Sequence, residues 1–219
     1  MKAVAGNLRS LSLSTAVFLA VASVSWAGPA SAGNLIVNGD FSADANLFGT
    51  FPGNTGVGEN PASITGWTHN GMMGVGVNGI DSKGRFTALG PSAQQASPDR
   101  NWAFLQGIGA ALYQIITVTP GVTYTVSYVA ANRDGNPDAA LSADVYDGTY
   151  GGTNRGILPG GIPSKAYSMA NFETESFTFT ATLDTATLVF KNQSGGADNT
   201  VNVTDVSVVP APPINMATR

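Results

Sequence analysis

An alternating stretch near the middle of the chain constrains the fold more than any other feature. From Val122 to Tyr128, Val and Tyr alternate with Thr and Ser. Successive side chains of a β-strand point to opposite faces, so the pattern predicts a strand with one face in a core. A segment rich in Ile, Thr and Val precedes it at 112–118, and Thr119-Pro120-Gly121-Val122 predicts a type II turn, because Pro presets φ and Gly tolerates positive φ. The sequence leaves open whether this turn closes a hairpin or arches between two sheets.

Further strands are predicted where apolar residues alternate with polar ones or cluster in short runs. These segments are 34–41, 102–105, 141–146, 176–182, 187–191 and 201–209. No segment has the 3.6-residue repeat of an amphipathic helix. The side chains whose spacing predicts a shared core are Tyr124, Val126, Tyr128, Phe177, Phe179, Leu188 and Phe190. The predicted fold class is therefore all-β, with two antiparallel sheets packed as a sandwich.

The final predicted strand changes its pattern partway along. Val201 and Val203 occupy one parity, whereas Val206 and Val208 occupy the other. A period of two cannot change parity without an extra residue, so we predict a β-bulge near Thr204-Asp205. Asp205 either turns inward there, toward a polar group or a metal, or is solvated at an ordinary edge bulge.

The first 32 residues have the features of a secretory signal peptide. Lys2 and Arg9 precede an apolar run at 11–24, and Ala30-Ser31-Ala32 is a small-residue cleavage pattern. We therefore expect a secreted or cell-surface protein with a signal peptide at 1–32. The remaining chain is expected to form one β-sandwich domain at 33–209 and a flexible tail at 210–219.

Charge and cysteine content exclude several classes of partner. Without Lys2 and Arg9, eight basic residues remain against 14 acidic ones, which gives a formal charge of −6. Nucleic acids and anionic membranes are bound by clusters of Lys and Arg, and the sequence has none, so neither is an expected partner and no membrane insertion is expected after cleavage. The chain has no Cys. Its stability must come from its core, with help from any bound metal.

The sequence offers little for catalysis. The single His, His69, lies in a turn-like context without a nucleophile motif, and there is no Cys for a Cys-His pair. Glu173 and Glu175 lie two residues apart and point to one face of a strand, whereas the carboxylates of glycosidases normally come from different strands. We expect these two residues to be solvated and the protein not to be an enzyme.

Binding is better supported than catalysis. Tyr and Trp offer an apolar ring together with a polar group, which suits the recognition of sugars. Tyr146 lies on the outward parity of its strand, and Tyr150 lies in the Gly-rich segment 147–163, whose backbone can approach a ligand closely. The predicted ligand-binding residues are Tyr146, Tyr150, Trp102, Asp144, Asn154 and Arg155. The alternative for all of them is ordinary surface packing.

Three segments in order resemble the galactose-binding-like jelly-roll domains. They are Asn34 to Phe41 (NLIVNGDF), Leu112 to Tyr128 (LYQIITVTPGVTYTVSY) and Thr204 to Val208 (TDVSV). Those domains include the family 4 and family 22 types of carbohydrate-binding module and exported bacterial proteins with C-terminal sorting anchors. The resemblance spans the chain after the leader and implies an antiparallel jelly-roll β-sandwich. Function is implied less strongly, because one fold hosts many functions.

The resemblance also implies a structural calcium ion, held between the first and last strands. The residues placed to bind it are Asp205, Asp40 and Asp44. Ser42 stands where these domains usually carry an acidic residue, which weakens the predicted site. Ca²⁺ takes six to eight oxygen ligands, so backbone carbonyls near 38–41 would have to complete the set.

Taken together, the sequence predicts a secreted, non-catalytic module that binds an extracellular polysaccharide or cell-wall glycan. A structural or adhesive surface protein without a small ligand is the alternative. Exposed aromatic residues in a row or groove would favour the first. A large flat exposed face without a groove would favour the second.

Overall fold

A computed structural model describes residues 33–44, 53–54, 64–70, 74–78, 101–133, 135–151, 156–196 and 198–212. The predicted signal peptide and two of the predicted ligand residues, Asn154 and Arg155, lie outside these ranges. In the described part of the chain the only helical segment is a 3-10 turn at Ser42–Asp44. None of the described residues form a helix that is long and apolar enough to cross a membrane.

The described strands form two antiparallel sheets. They are β1 (Gly53–Asn54), β2 (Thr68–His69), β3 (Val75–Asn78), β4 (Trp102–Gln106), β5 (Ala111–Thr117), β6 (Thr123–Asn132), β7 (Ala140–Asp147), β8 (Ile162–Ala166), β9 (Glu173–Thr180), β10 (Thr185–Asn192) and β11 (Thr200–Pro210). The six-stranded sheet has the order β1-β3-β4-β11-β6-β9, and the five-stranded sheet has the order β2-β5-β10-β7-β8. From β5 onward the chain crosses repeatedly between the sheets. This confirms the predicted jelly-roll sandwich.

The core lies between the sheets and contains the residues predicted for it. Tyr124, Val126 and Tyr128 of β6 are buried, whereas Thr123 of the same strand is exposed, as the alternation predicts. The predicted core residues of β9 and β10 join the same cluster, although Phe177 is only half-buried at its margin. The alternation of β6 therefore identified the core side of its sheet correctly.

The turn before β6 connects the two sheets. The amide of Val122 donates to the carbonyl of Thr119 (3.1 Å), and Gly121 has a φ of 81°. Because β5 belongs to the five-stranded sheet and β6 to the six-stranded sheet, the turn is an arch and not a hairpin. The structure thus decides between the two alternatives that the sequence left open.

The predicted bulge in the last strand is confirmed. The pairing of β11 with β6 shifts register between Thr204 and Ser207, and Asp205 has a φ of 49°. β11 continues to Pro210, and the amide of Ala211 donates to the carbonyl of Thr123 (2.8 Å). The ordered sandwich therefore extends two residues into the segment predicted as a tail.

The segment 34–41 is not a regular strand, which differs from the prediction. It lies beside β11, where the amide of Leu35 donates to the carbonyl of Val208 (2.9 Å) and that of Val206 donates to the carbonyl of Gly39 (3.0 Å). The side chain of Asn34 accepts from the amides of Ile36 (3.0 Å) and Val208 (2.9 Å). Side-chain hydrogen bonds thus replace part of a regular ladder, and the segment forms bends and turns.

Candidate functional site

The outer face of the five-stranded sheet collects aromatic and aliphatic side chains from several strands. In the register of this sheet, Val189 of β10 lies between Tyr113 of β5 and Asp144 of β7. In the next row, Thr187 lies between Ile115 and Tyr146. Side chains in one row of a sheet point to the same side, so these residues form one surface. We call it the tyrosine face, made of Tyr113, Ile115, Asp144, Tyr146, Tyr150, Ile157, Thr187, Val189 and Lys191.

Three tyrosine rings lie in contact across this face. The ring of Tyr150 lies 5.0 Å from that of Tyr113, at an interplanar angle of 57°. It lies 4.9 Å from the ring of Tyr146, at an angle of 67°. All three residues are half-buried. The rings therefore form a continuous cluster across β5, β10 and β7 that stays accessible from outside.

Tyr150 comes from the turn after β7, and Thr187 of β10 holds that turn over the sheet. The hydroxyl of Thr187 donates to the carbonyl of Gly148 (2.6 Å) and accepts from the amide of Tyr150 (3.2 Å). Gly148 has a φ of 89°, a left-handed conformation that glycine adopts without strain. The chain can thus reverse at this point and place the ring of Tyr150 between the other two.

Aliphatic residues extend the apolar surface on both sides of the rings. Val189 is buried, whereas Ile115 is 51% exposed and Ile157 is 55% exposed. Ile157 joins the face through an isolated bridge with Tyr146. Ile115 and Ile157 therefore add exposed apolar surface beside the tyrosine rings.

Two charged residues lie on the tyrosine face. Asp144 is half-buried, and burial raises the pKa of its carboxyl, while a hydrogen bond from Ser142 and the charge of Lys191 oppose that rise. Burial also raises the pKa of Tyr146, as do the neighbouring Tyr150 and Asp144. The face therefore offers a partly dehydrated acceptor next to an aromatic ring.

The structure brings together three of the predicted ligand residues: Tyr146, Tyr150 and Asp144. Trp102 belongs to the six-stranded sheet and is only 8% exposed, in a separate cluster with Ala131 and Phe172. Its ring lies 6.2 Å from that of Phe172. Trp102 is therefore a packing residue in this structure and is not part of the tyrosine face.

Tyr113 completes the cluster and was not among the ligand residues predicted from the sequence. Both parities of β5 contain apolar residues, so the pattern did not show which side faces outward. The inward parity even includes Gln114, which is buried because its side chain pairs with the backbone of Val37 (2.8 and 3.0 Å). The sequence did contain one indication of Tyr113: it has the parity opposite to that of Leu112, so the two side chains point to opposite faces of the sheet.

The predicted metal ligands separate into two environments. Asp40 and Asp205 line one depression of about 350 Å³ together with Asn34, Asn38, Gly39, Val206 and Ser207. Asp44 is fully buried, and its carboxylate accepts from Asn38 Nδ2 (2.7 Å), the amide of Thr65 (3.0 and 3.1 Å) and its hydroxyl (2.8 Å). The described ranges contain no group of three acidic or His residues placed to hold a metal. Calcium binding therefore stays a prediction. The carboxylate of Asp44 already accepts hydrogen bonds from Asn38 and Thr65.

The residues considered for catalysis have other partners. Glu173 and Glu175 both bind Lys165, with a distance of 3.0 Å from Lys165 Nζ to Glu173. The expectation that they are simply solvated is wrong, because the ion pairs join β8 of one sheet to β9 of the other. His69 lies in β2, and burial lowers the pKa of its imidazole.

Comparisons with known proteins identify a family and similar folds. The sequence model of the family described as "Protein of unknown function (DUF642)" matches residues 34–204. No curated protein matches the chain.

Several solved structures of carbohydrate-binding modules are similar to the chain. A family 61 module in complex with β-1,4-galactotriose is 13% identical, covering 82% of this chain and 100% of that one, with a TM-score of 0.48. The CBM22-1 xylan-binding domain of Paenibacillus barcinonensis Xyn10C is 14% identical, covering 74% and 93%, with a TM-score of 0.45. The N-terminal cellulose-binding domain of Cellulomonas fimi β-1,4-glucanase C is 21% identical, covering 51% and 78%, with a TM-score of 0.38.

Proposed function

The chain belongs to the DUF642 family, whose function is unknown, and we propose that this member binds a polysaccharide chain on its tyrosine face. The observation that carries the proposal is the contact of the Tyr150 ring with the rings of Tyr113 and Tyr146, at 5.0 and 4.9 Å. The apolar side of a sugar ring packs on an aromatic ring, and its hydroxyls reach polar groups nearby. The tyrosine face offers both.

The tilt of the rings favours a single chain over a flat crystalline surface. The interplanar angles of 57° and 67° mean that the three rings do not share one plane. A flat polysaccharide crystal could therefore touch only part of the cluster. A single chain can rotate about its glycosidic bonds, so consecutive sugars can follow rings of different tilt. The exposed Ile115 and Ile157 would lengthen the contact at either side.

We also propose that the protein is exported and that it binds its ligand without catalysing a reaction. Export is supported by the predicted signal peptide at 1–32, and an extracellular polysaccharide is the ligand class that fits such a location. Binding without catalysis is supported by the carboxylates considered for hydrolysis, because Glu173 and Glu175 both bind Lys165. A glycosidase needs one carboxyl group on each side of the scissile bond.

Substitution of the tyrosines tests the proposal. Affinity electrophoresis in gels containing xylan, galactan or β-glucan measures binding by the retardation of the protein. We expect Tyr146→Ala and Tyr113→Ala each to weaken retention by at least tenfold, since each removes a stacking ring. Ile108→Ala is the matched control, because Ile108 is 58% exposed and lies outside the tyrosine face. Unchanged retention of both tyrosine variants would exclude this face as the site.

The structural or adhesive alternative also has an observation in its favour. The outward positions of β6 and β9 carry paired hydroxyl residues, Thr123 with Thr180, Thr125 with Thr178 and Ser127 with Ser176. The three residues on β9 are exposed, and this face contains no charged residue at those positions. Under this alternative, Thr178→Lys would disrupt attachment to a surface, whereas Tyr146→Ala would not.

A further inference from the structure

We infer that Asp144 makes the tyrosine face selective for uncharged polysaccharides and against polyuronates. The inference rests on the proposed function, because it concerns the same face. It adds the class of ligand, which the aromatic rings alone do not specify. Aromatic stacking is available to neutral sugars and to uronic acids alike, so discrimination between them requires a polar group.

The position of Asp144 puts its carboxylate beside the stacking rings. It lies two residues before Tyr146 on β7, on the same side of the sheet. Residues at that spacing are about 6.7 Å apart along a strand. Across the sheet, Asp144 lies in the same row as Tyr113, with Val189 between them. A sugar stacked on Tyr146 therefore presents hydroxyls toward Asp144.

Neighbouring groups hold this carboxylate in place. Gln193 Nε2 donates to the hydroxyl of Ser142 (3.0 Å), and Ser142 lies two residues before Asp144 on β7, where it lowers the pKa of that carboxyl. On the other side, the backbone of Gly161 approaches closely. A Cβ at Gly161 would lie 2.8 Å from Asp144 Oδ1 and 2.8 Å from the carbonyl oxygen of Ala143. Glycine at this position thus leaves room for the carboxylate.

The chemistry of a carboxylate favours a hydroxyl over another carboxylate. An ionised Asp only accepts hydrogen bonds, and a sugar hydroxyl can donate one. The carboxylate of a uronic acid also only accepts, so two acceptors of like charge would face each other without a proton between them. Partial burial of Asp144 strengthens both the attraction and the repulsion, because the local dielectric is lower than that of water.

Lys191 offsets part of the negative charge of Asp144 but does not reverse the preference for neutral polysaccharides. It lies on β10, in register with Ser142, and its charge lowers the pKa of Asp144. Its ammonium group is compact, strongly hydrated and carried on a flexible stem, so it is a weaker partner for a uronate than a rigid guanidinium would be. The carboxylate remains the charged group next to the ring of Tyr146.

The test compares neutral and acidic polysaccharides on the full chain. Affinity electrophoresis is run with arabinoxylan, with laminarin and with polygalacturonate, for the wild type and for Asp144→Asn. We expect the wild type to be retained by a neutral polysaccharide and not by polygalacturonate. Asp144→Asn should lose about tenfold in neutral binding, the effect of one hydrogen bond to a charged group, and should gain retention by polygalacturonate.

Asp184→Asn is the matched control, since Asp184 is exposed in the turn before β10 and the substitution changes net charge equally. It should behave as the wild type does. An unchanged ratio of neutral to acidic binding in Asp144→Asn, with the wild type retained normally, would overturn this inference alone. If the wild type is retained by none of the three polysaccharides and not by galactan either, the proposed function fails as well. Circular dichroism of both variants verifies that they fold.

Discussion

The hydroxyl oxygens of Tyr128 and Tyr167 lie 2.9 Å apart in the interior of the sandwich. Burial raises the pKa of both phenols, that of Tyr167 to about 12, and the ammonium of Lys165 lies 4.8 Å from the centre of the Tyr167 ring. Tyr128 comes from β6, and Tyr167 follows β8 of the other sheet. The pair therefore joins the two sheets by a buried hydrogen bond.

Removal of one hydroxyl of this pair should destabilise the protein. Tyr167→Phe leaves the hydroxyl of Tyr128 buried without its partner, which costs about 1–3 kcal/mol in the free energy of unfolding. The double variant Tyr128→Phe/Tyr167→Phe should cost less than the sum of the two single variants, because neither hydroxyl is then left buried alone. Urea denaturation of the wild type, the two single variants and the double variant measures this double-mutant cycle. Strict additivity would show that the two hydroxyls do not interact.

The ion pair at the edge of the sandwich predicts a loss of stability in acid. Burial alone would raise the pKa of Glu173, but the amide of Ser168 and the ammonium of Lys165 outweigh it and hold that pKa below its usual 4.5. A lowered folded-state pKa contributes stability that is present above the unfolded pKa and is lost as pH falls through the folded pKa.

The difference in unfolding free energy between the wild type and Glu173→Gln should therefore be largest near neutral pH. It should shrink as pH falls below about 4.5, because the uncharged Gln does not titrate. Urea midpoints measured from pH 7 to pH 3 determine it. A difference that stays constant over this range would mean that Glu173 has the same pKa in both states.

The packing of Gly39 against the last strand predicts an intolerance to any side chain there. A Cβ at Gly39 would lie 2.1 Å from the carbonyl oxygen of Val206, a backbone atom. Gly39→Ala should therefore reduce the free energy of unfolding by about 1–3 kcal/mol, as overpacking typically does. Gly33→Ala is the control, because nothing lies within 4 Å of a Cβ at that residue. Equal stability of the two variants would contradict the close packing.

The predicted calcium site gives a separate expectation. Because Asp40 and Asp205 line one depression, a calcium ion bound there would raise the melting temperature in millimolar calcium relative to chelator. Asp205→Asn should remove that difference, and Asp184→Asn should leave it intact. Identical melting temperatures of the wild type with calcium and with chelator would rule out a stabilising site.

Much of the fold followed from local pattern. The alternation from Val122 to Tyr128 determines which side chains of β6 face the core, because the side-chain period of a strand is two. The parity change after Val203 likewise predicted the bulge at Asp205, since an extra residue is the way a strand changes parity. Both features depend only on neighbouring residues, so the sequence by itself determined them.

The candidate site could be predicted only in part. Tyr146 was predicted from its outward parity and Tyr150 from its place beside a Gly-rich loop, and the structure brings both onto one face with Asp144. Tyr113 was not predicted, because its place beside Val189 depends on the pairing of β5 with β10, and these two strands are far apart in the chain with no turn joining them. The same limit applies to Trp102, which is buried in a cluster with Ala131 and with Phe172, 70 residues away in sequence.

The sequence thus determined the all-β class, the core parity and the position of the bulge, all of which follow from short-range periodicity. The tertiary structure alone decided that the Pro120-Gly121 turn arches between the sheets. It likewise decided that hydrogen bonds to the side chain of Asn34 replace part of the backbone pairing expected at 34–41. It also decided that three tyrosines meet on one face. These outcomes depend on contacts between residues far apart in the chain, whose free energies become decisive only when the sheets pack together.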